Sequence, residues 1–371
     1  MKKSLEIRLD AIRKALDREH LSGLVINQPA YIFHITGWLP PIWAKTFAVI
    51  GPNDFILVAP FIPDDIQPTW NTSITYTSFS LDELINVSAN AILALLQAVS
   101  QARLSAKSVG VILDALPGTY TQALSKLVQL HEVSELLHAE TAVKDEMAQR
   151  AIRQRVGFLD QAFEVAALTM QPGMSEMEVF GAIYNSLIQL LGSSITLDCN
   201  FGSGFRTIAD EPQPTNKRLK KGEPVLIDLF PMLGGYGADY TRNFAVKEAT
   251  EGQLVQHGVL EKALSAAEAA LRPGIAASEI DRIVRKVIEE EGYGKYAHQH
   301  HSGHAFGLAI PEPPWLIPAD HTPLKPGMVI AIEPGIYHPV NGGMRLEGDY
   351  IITDDGYESL SGYPPKLTIC K

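Results

Sequence analysis

The chain repeats itself once, and that repeat limits its possible folds more than any other feature. A helical stretch ends in Met170-Gln-Pro-Gly173 and helix resumes through Glu178 and Val179. Further on, another ends in Leu271-Arg-Pro-Gly274 and resumes through Glu279 and Ile280. Proline lacks the N–H that a continuing helix needs, and glycine readily takes the left-handed conformation that closes one. In both copies the proline precedes the glutamate by six residues. Each helix pair then leads into short apolar runs carrying two acids, Asp228 and Asp239 first, Glu333 and Glu347 second. Pro172 precedes Asp228 by 56 residues and Pro273 precedes Glu333 by 60. A repeated unit buries its apolar face against its neighbour. Two helix–helix–hairpin halves facing each other would bring four carboxylates to one seam.

The first acidic stretch, Val225 to Phe244, reads V-L-I-D-L-F-P-M-L-G-G-Y-G-A-D-Y-T-R-N-F. Gly234-Gly235 between apolar runs is a hairpin signal. With a two-residue turn, Asp228 lies across from Thr241, and Asp239 sits two residues away on the same face. Such diagonal neighbours are about 7–8 Å apart. An acid on an apolar sheet face is costly unless it is paired or metal-bound. Glu333 closes the run Met328 to Glu333, and Glu347 lies in M-R-L-E-G-D-Y, where a period of two puts Arg345 and Asp349 on its face. Between the acidic stretches comes His298-Gln-His-His-Ser-Gly-His304. Four carboxylates with one imidazole form a hard, oxygen-rich set suited to a pair of manganese, cobalt, iron or zinc ions. Two bridged ions can hold a hydroxide and polarise a carbonyl.

At 371 residues the chain exceeds the usual span of one core. Upstream, helical spacing over residues 4–19, strands at 23–27 and 108–113, a hairpin at 47–58 and a helix near 81–102 alternate as in a compact α/β domain. That pattern ends near residue 132, and from about Ala139 a helical composition runs to about Met170. We therefore expect domains at 1–132 and 133–371. A net charge of −11 argues against nucleic acid or anionic membranes as partners. No secretory signal is readable and the apolar runs are too short for a membrane span. Two cysteines, Cys199 and Cys370, are too few for a disulfide framework, which points to a reducing cytoplasm.

The segments I-D-L-F…G-A-D-Y-T-R-N-F, H-H-S-G-H-A-F-G, G-M-V-I-A-I-E-P-G-I-Y and G-G-M-R-L-E-G-D resemble the pita-bread metallopeptidases. That family includes prolidase, aminopeptidase P, methionine aminopeptidase and the non-peptidase creatinase. R-L-D-A-I-R-K-A-L and N-Q-P-A-Y-I-F-H-I-T-G-W resemble the amino-terminal domain of the prolidase and creatinase branch. The resemblance implies a creatinase-like α/β domain followed by an α+β pita-bread domain with an internal pseudo-two-fold duplication. It also implies that Asp228, Asp239, His304, Glu333 and Glu347 are ligands of two divalent ions, manganese first, with cobalt, iron or zinc as alternatives. Thr241 matches a threonine supporting the second aspartate or its bridging water. Relatives are commonly dimers.

Two positions depart from the family's pattern. The proline peptidases carry a histidine where this chain has Glu211, and another where it has Pro311. Proline cannot relay a proton through its side chain, yet a departing amine needs one, and general-acid help is typically worth about 10²–10⁴-fold. Glu211, with a pKa raised by burial, Glu333, or an imidazole of His300, His301 or His338 could supply it. Glu333, Glu211, His300 and Arg345 are therefore the candidate catalytic residues. Trp38, Trp43 and Trp315 could line a pocket. The leading expectation is a dinuclear-metal hydrolase that cleaves Xaa-Pro bonds in small peptides. The alternative is an enzyme of the same fold acting on a small amino-acid derivative by C–N hydrolysis or metal-assisted elimination. A non-catalytic binding protein would have no reason to keep five ligands.

Overall fold

Along β1 (Gly23–Ile26), Val25 faces one side and Leu24 and Ile26 the other, and each side meets its own helices. The computed structural model of the chain describes residues 2–64, 66, 69–209 and 211–370. These fall into two units, Met1–Thr141 and Ala142–Lys371. The first unit adds β2 (Phe47–Ile50), β3 (Phe55–Ala59), β4 (Thr72–Thr75), β5 (Ser108–Val111) and β6 (Gln129–Glu132) to one sheet, ordered β4-β3-β2-β1-β5-β6. Its helices are α1 (Lys2–Arg18), α2 (Pro29–Thr36), α3 (Val87–Gln101), α4 (Gly118–Leu124) and α5 (Ser134–Ala142). Val25, Val49 and Val58 pack with Ala94, Leu95 and Ala98 of α3. Leu24, Ile50 and Leu57 pack with Leu9 and Ile12 of α1 and Ile32 of α2. Trp38 and Trp43 meet Phe61 at ring separations of 6.2 and 5.7 Å.

The helical composition from Ala139 onward is not one helix. α5 stops at Ala142, Val143 bridges to Met328, and α6 (Glu146–Thr169) starts afresh with the Asp145 side chain accepting from Ala148 N. That aspartate caps a helix start, so the chain breaks where composition alone reads through. Leu137 of α5 packs in the first unit's core, so this unit runs through Thr141, past residue 132, where the sequence pattern fades.

The second unit is built twice. α6 and α7 (Glu176–Leu191) precede β7 (Thr196–Ser203), β8 (Pro224–Leu233), β9 (Tyr236–Gly237) and β10 (Tyr240–Val246). α8 (Glu251–Ala270) and α9 (Ala277–Glu290) precede β11 (Gly303–Ala305), β12 (Glu312–Trp315), β13 (Val329–Ile332), β14 (Gly335–His338), β15 (Gly342–Arg345), β16 (Gly348–Ile352), β17 (Tyr357–Ser359) and β18 (Thr368–Cys370). One sheet runs β18-β10-β8-β7 with β9 on β8, another β12-β11-β13-β16-β17, and β14 pairs with β15. The junctions match bond for bond. Gly173 N donates to Leu219 O at 2.9 Å and Gly274 N to Leu324 O at 2.8 Å. Leu219 N returns a bond to Met174 O, and Leu324 N to Ile275 O, both at 2.8 Å. The two glycines have φ of 89° and 85°.

Gly234 and Gly235, at φ 52° and 83°, form the two-residue turn between the paired Leu233 and Tyr236. Left-handed conformation at both positions matches the twist of the flanking strands. The register that follows sets Asp228 opposite Thr241, as the two-residue turn predicts. No helix among the described residues is long and apolar enough to cross a membrane.

Candidate metal centre

Asp228 stands within β8, Asp239 in the gap between β9 and β10, and Glu347 between β15 and β16. One ligand atom from each lies within 4.8 Å of the other two. His304 on β11 extends the group, its Nε2 lying 3.2 Å from Asp239 Oδ2 and 3.6 Å from Glu333 Oε1. All five side chains are buried. The structure thus brings together the five residues expected at the seam, although Glu347 sits in a break between strands and not inside a continuous one.

Neighbours hold the outer oxygens. Asn200 Nδ2 donates to Asp228 Oδ2 at 3.3 Å, and Arg345 Nη2 donates to the same oxygen. Thr241 Oγ1 donates to Glu347 Oε2 at 2.8 Å, so this threonine steadies a glutamate of the second half where support of the second aspartate or its bridging water was expected. Asp228 Oδ1 and Glu347 Oε1 remain buried without a hydrogen bond among the described residues. His304 Nδ1 donates to Ala305 O at 2.8 Å, which leaves Nε2 as a lone pair facing the carboxylates, the form that ligates metal.

The electrostatics fit a cation-binding site. Burial, then Asp228 and Glu333, hold Asp239 well above the usual carboxylate range, and burial, then Asp239 and Asp228, do the same to Glu347. Burial also pushes Glu333 up, but His301, His304 and His300 outweigh it and leave Glu333 below its ordinary value. Carboxylates this close cannot all ionise in a dry site without compensating positive charge. Orphaned oxygens, a correctly presented imidazole and mutual repulsion together suit divalent ions. Asp349, expected on the face of Glu347, is fully buried with neither oxygen hydrogen-bonded among the described residues. Burial, then Glu347 and Asp239, hold it well above the ordinary range.

A second cluster adjoins the first. His300, His301 and Glu333 bring ligand atoms within 4.8 Å of one another, with His301 Nδ1 2.8 Å from Glu333 Oε1. His300 Nδ1 donates to His301 O at 2.6 Å, and its Nε2 meets Tyr337 Oη at 2.8 Å. Burial lowers the His300 pKa, which keeps the ring neutral. His298 is buried deeper, its pKa pushed down to about 3 by desolvation, and its Nε2 meets Ser302 Oγ at 2.9 Å. His338 lies elsewhere. Its Nδ1 accepts from Val340 N and Asn341 N, and its ring stands 4.4 Å from that of Tyr296.

Asp228, Asp239, Glu333, His300, His301 and His304 line a cavity of about 320 Å³ that also exposes Asp198, Gln213 and Ile310. Both departures from the family's pattern, Glu211 and Pro311, open onto it. Glu211 is exposed, so it lacks the burial expected of a tuned proton donor. Trp315 stands behind the histidines, with ring centroids 5.2 Å from His301 and 6.1 Å from His304. Sequence reasoning missed Asn200, Asp198 and Tyr337. Asn200 reaches Asp228 because β7 pairs with β8 in a register that sets them opposite, and no turn signal specifies that register.

The profile of metallopeptidase family M24 matches residues 150–354. The chain is 33% identical over 259 residues to the Xaa-Pro dipeptidase of Pyrococcus horikoshii, covering 69% of this chain and 73% of that protein. Against the Xaa-Pro dipeptidase of Pyrococcus furiosus it is 26% identical over 362 residues, covering 95% and 97%. The solved Xaa-Pro dipeptidase from Bacillus anthracis shares the fold with a TM-score of 0.87 at 23% identity, over 98% of this chain and 99% of that one.

Proposed function

Because the chain belongs to metallopeptidase family M24, and is thus a metal-dependent hydrolase of pita-bread fold, we propose that it cleaves the Xaa-Pro bond of short peptides. The observation that carries this is the convergence of Asp228, Asp239 and Glu347 within 4.8 Å, with His304 and Glu333 adjoining. In this reading those five residues hold two divalent ions, with manganese the first choice for so oxygen-rich a set. When bound, such ions supply an activated water and polarise the scissile carbonyl. The relatives named as Xaa-Pro dipeptidases favour a peptide over the non-peptide alternative.

The protein's own groups orient and move protons. Asn200 and Arg345 fix Asp228, and Thr241 fixes Glu347. In this reading Glu333, beside His301 at 2.8 Å, would take a proton from the attacking water and return it to the leaving amine, with His301 as its relay. Arg345 Nη1 donates to Tyr337 Oη at 3.2 Å, and that hydroxyl meets His300, so a continuous hydrogen-bonded chain holds the neutral imidazole in place. This arrangement would supply proton transfer without a proton-carrying side chain at Pro311. The protein is further proposed to act in the cytoplasm, in keeping with two free, buried cysteines, and as the homodimer that the family resemblance implies.

Hydrolysis of a panel of Xaa-Pro peptides with added manganese tests the reading. Turnover dependent on the metal supports it. No turnover with two equivalents bound overturns the peptidase assignment while leaving the metal site intact.

A further inference from the structure

The cavity carries more negative charge than a metal pair would use. Glu211 and Asp198 line it, yet neither belongs to the five residues that converge at the seam. Two divalent ions together with Arg345 would offset five of the six carboxylates, the four at the seam and these two, leaving the cavity with a net negative charge on the side of Glu211 and Asp198. Among the described lining residues the one permanent cation is Arg345, and all its nitrogens are engaged. Its Nη2 meets Asp228 Oδ2, its Nε meets Thr241 Oγ1 at 3.3 Å, and its Nη1 meets Tyr337 Oη at 3.2 Å. The cations nearest to Glu211 in the chain are also committed, Arg206 to Glu176 and Lys217 to Glu223 at 2.6 Å. Both His300 nitrogens are occupied as well. Among the described residues, the cavity therefore offers no unengaged cation for a carboxylate on the substrate.

Resting on the peptidase reading above, we propose that this cavity selects peptides whose prolyl side carries no free carboxylate and bears a positive charge, with Glu211 and Asp198 as specificity-determining acids. A free carboxylate adjacent to the proline would approach two like charges. An ammonium on a short extension would be attracted by them. At the effective dielectric of a solvent-lined site, one such charge is worth roughly tenfold in relative kcat/KM at low ionic strength, and added salt screens it.

Three matched substrates test this on the manganese-loaded protein: a dipeptide Xaa-Pro acid, its prolyl amide, and the amide carrying a primary ammonium on a two-carbon tether. The expected order of kcat/KM is ammonium, then amide, then acid, with roughly tenfold between successive members and a spread that narrows as salt rises. Glu211→Gln should compress the spread, and Glu211→Lys should move the acid ahead of the ammonium compound, each with metal content unchanged. An acid that reacts fastest, or a Glu211→Gln variant with the original ratios, overturns the proposal. If none of the three is hydrolysed, the peptidase reading fails. The order of their dissociation constants, measured by calorimetry on the same protein, then still decides the charge preference.

Discussion

The two halves of the second unit share a backbone plan but not a chemistry. Their junction glycines and returning hydrogen bonds correspond, down to Gly173 and Gly274. The first half gives the seam Asp228 and Asp239, carboxylates supported by an amide, Asn200. The second gives Glu333 and Glu347 together with every imidazole at the site, His300, His301 and His304. Even the helix starts differ: Ser175 and Glu178 form a capping box at α7, whereas Ala276 offers α9 no side-chain cap. A duplicated scaffold thus brings acids from both halves, while the imidazoles come from the second half alone. On this view, metal binding should depend on both halves and proton transfer on the second alone.

The largest expected effect tests the shared part. Asp239→Ala should abolish stoichiometric metal binding, measured by elemental analysis after gel filtration, and activity with it. Two metals retained would remove the first half from the site. Next comes the unshared part. His301→Asn should lower kcat by roughly 10²-fold or more while leaving metal content and KM near wild type. An unchanged kcat would break the assignment of proton transfer to the second half. Asn200→Ala, which removes a support from Asp228, should weaken metal affinity by roughly tenfold, read by competition with a chelating dye. A loss of kcat at saturating metal would show instead that the first half also takes part in the chemistry.

The pH dependence of stability separates the halves less sharply but tests the electrostatics. Asp239 and Glu347 have folded pKa values raised above their unfolded ones, so their contribution to stability is fully present below the ordinary carboxylate range and is lost as pH rises through the folded values. Glu333 is lowered; its contribution is present above the unfolded value and is lost only in acid, below the ordinary range. Metal-free protein should therefore melt at lower temperature as pH rises from about 5 to about 8, and manganese should remove that slope. A flat metal-free profile would contradict the crowding of the carboxylates. The smallest effect concerns the backbone. Gly173→Ala and Gly274→Ala, both at positive φ with open space where a Cβ would stand, should each destabilise by about 1 kcal/mol. Unequal costs in denaturant titrations would show that the junctions are less alike than their hydrogen bonds.

Local signals had great reach in this chain. The Gly234-Gly235 turn fixes a register, and a register fixes which face each residue of β8 and β10 occupies, so the relation of Asp228 to Thr241 could be read directly. The Pro-Gly junctions announced the duplication because helix termination is a property of a few neighbouring residues. The repeat then paired Asp228 and Asp239 with Glu333 and Glu347, and the family resemblance singled out His304. What failed were two readings that depended on particular packing contacts. At the break, Val143 bridges to Met328 far along the chain and Asp145 caps the next helix, so composition read one helix where there are two. His338 resembled His300 and His301 as a nearby imidazole, yet packing turned it to Tyr296 and away from the cavity.

The sequence by itself therefore determined the repeat, the first hairpin and the chemical character of the donor set, since each rests on turn chemistry, side-chain period or residue type. Only the tertiary structure decided which oxygens stay unpaired, that Thr241 serves Glu347, and that Asn200 and Arg345 share Asp228. It also set Glu211 and Asp198 in the same cavity, where net charge becomes selectivity. Those outcomes depend on distances between segments up to more than a hundred residues apart, and such distances are set by how the two halves pack.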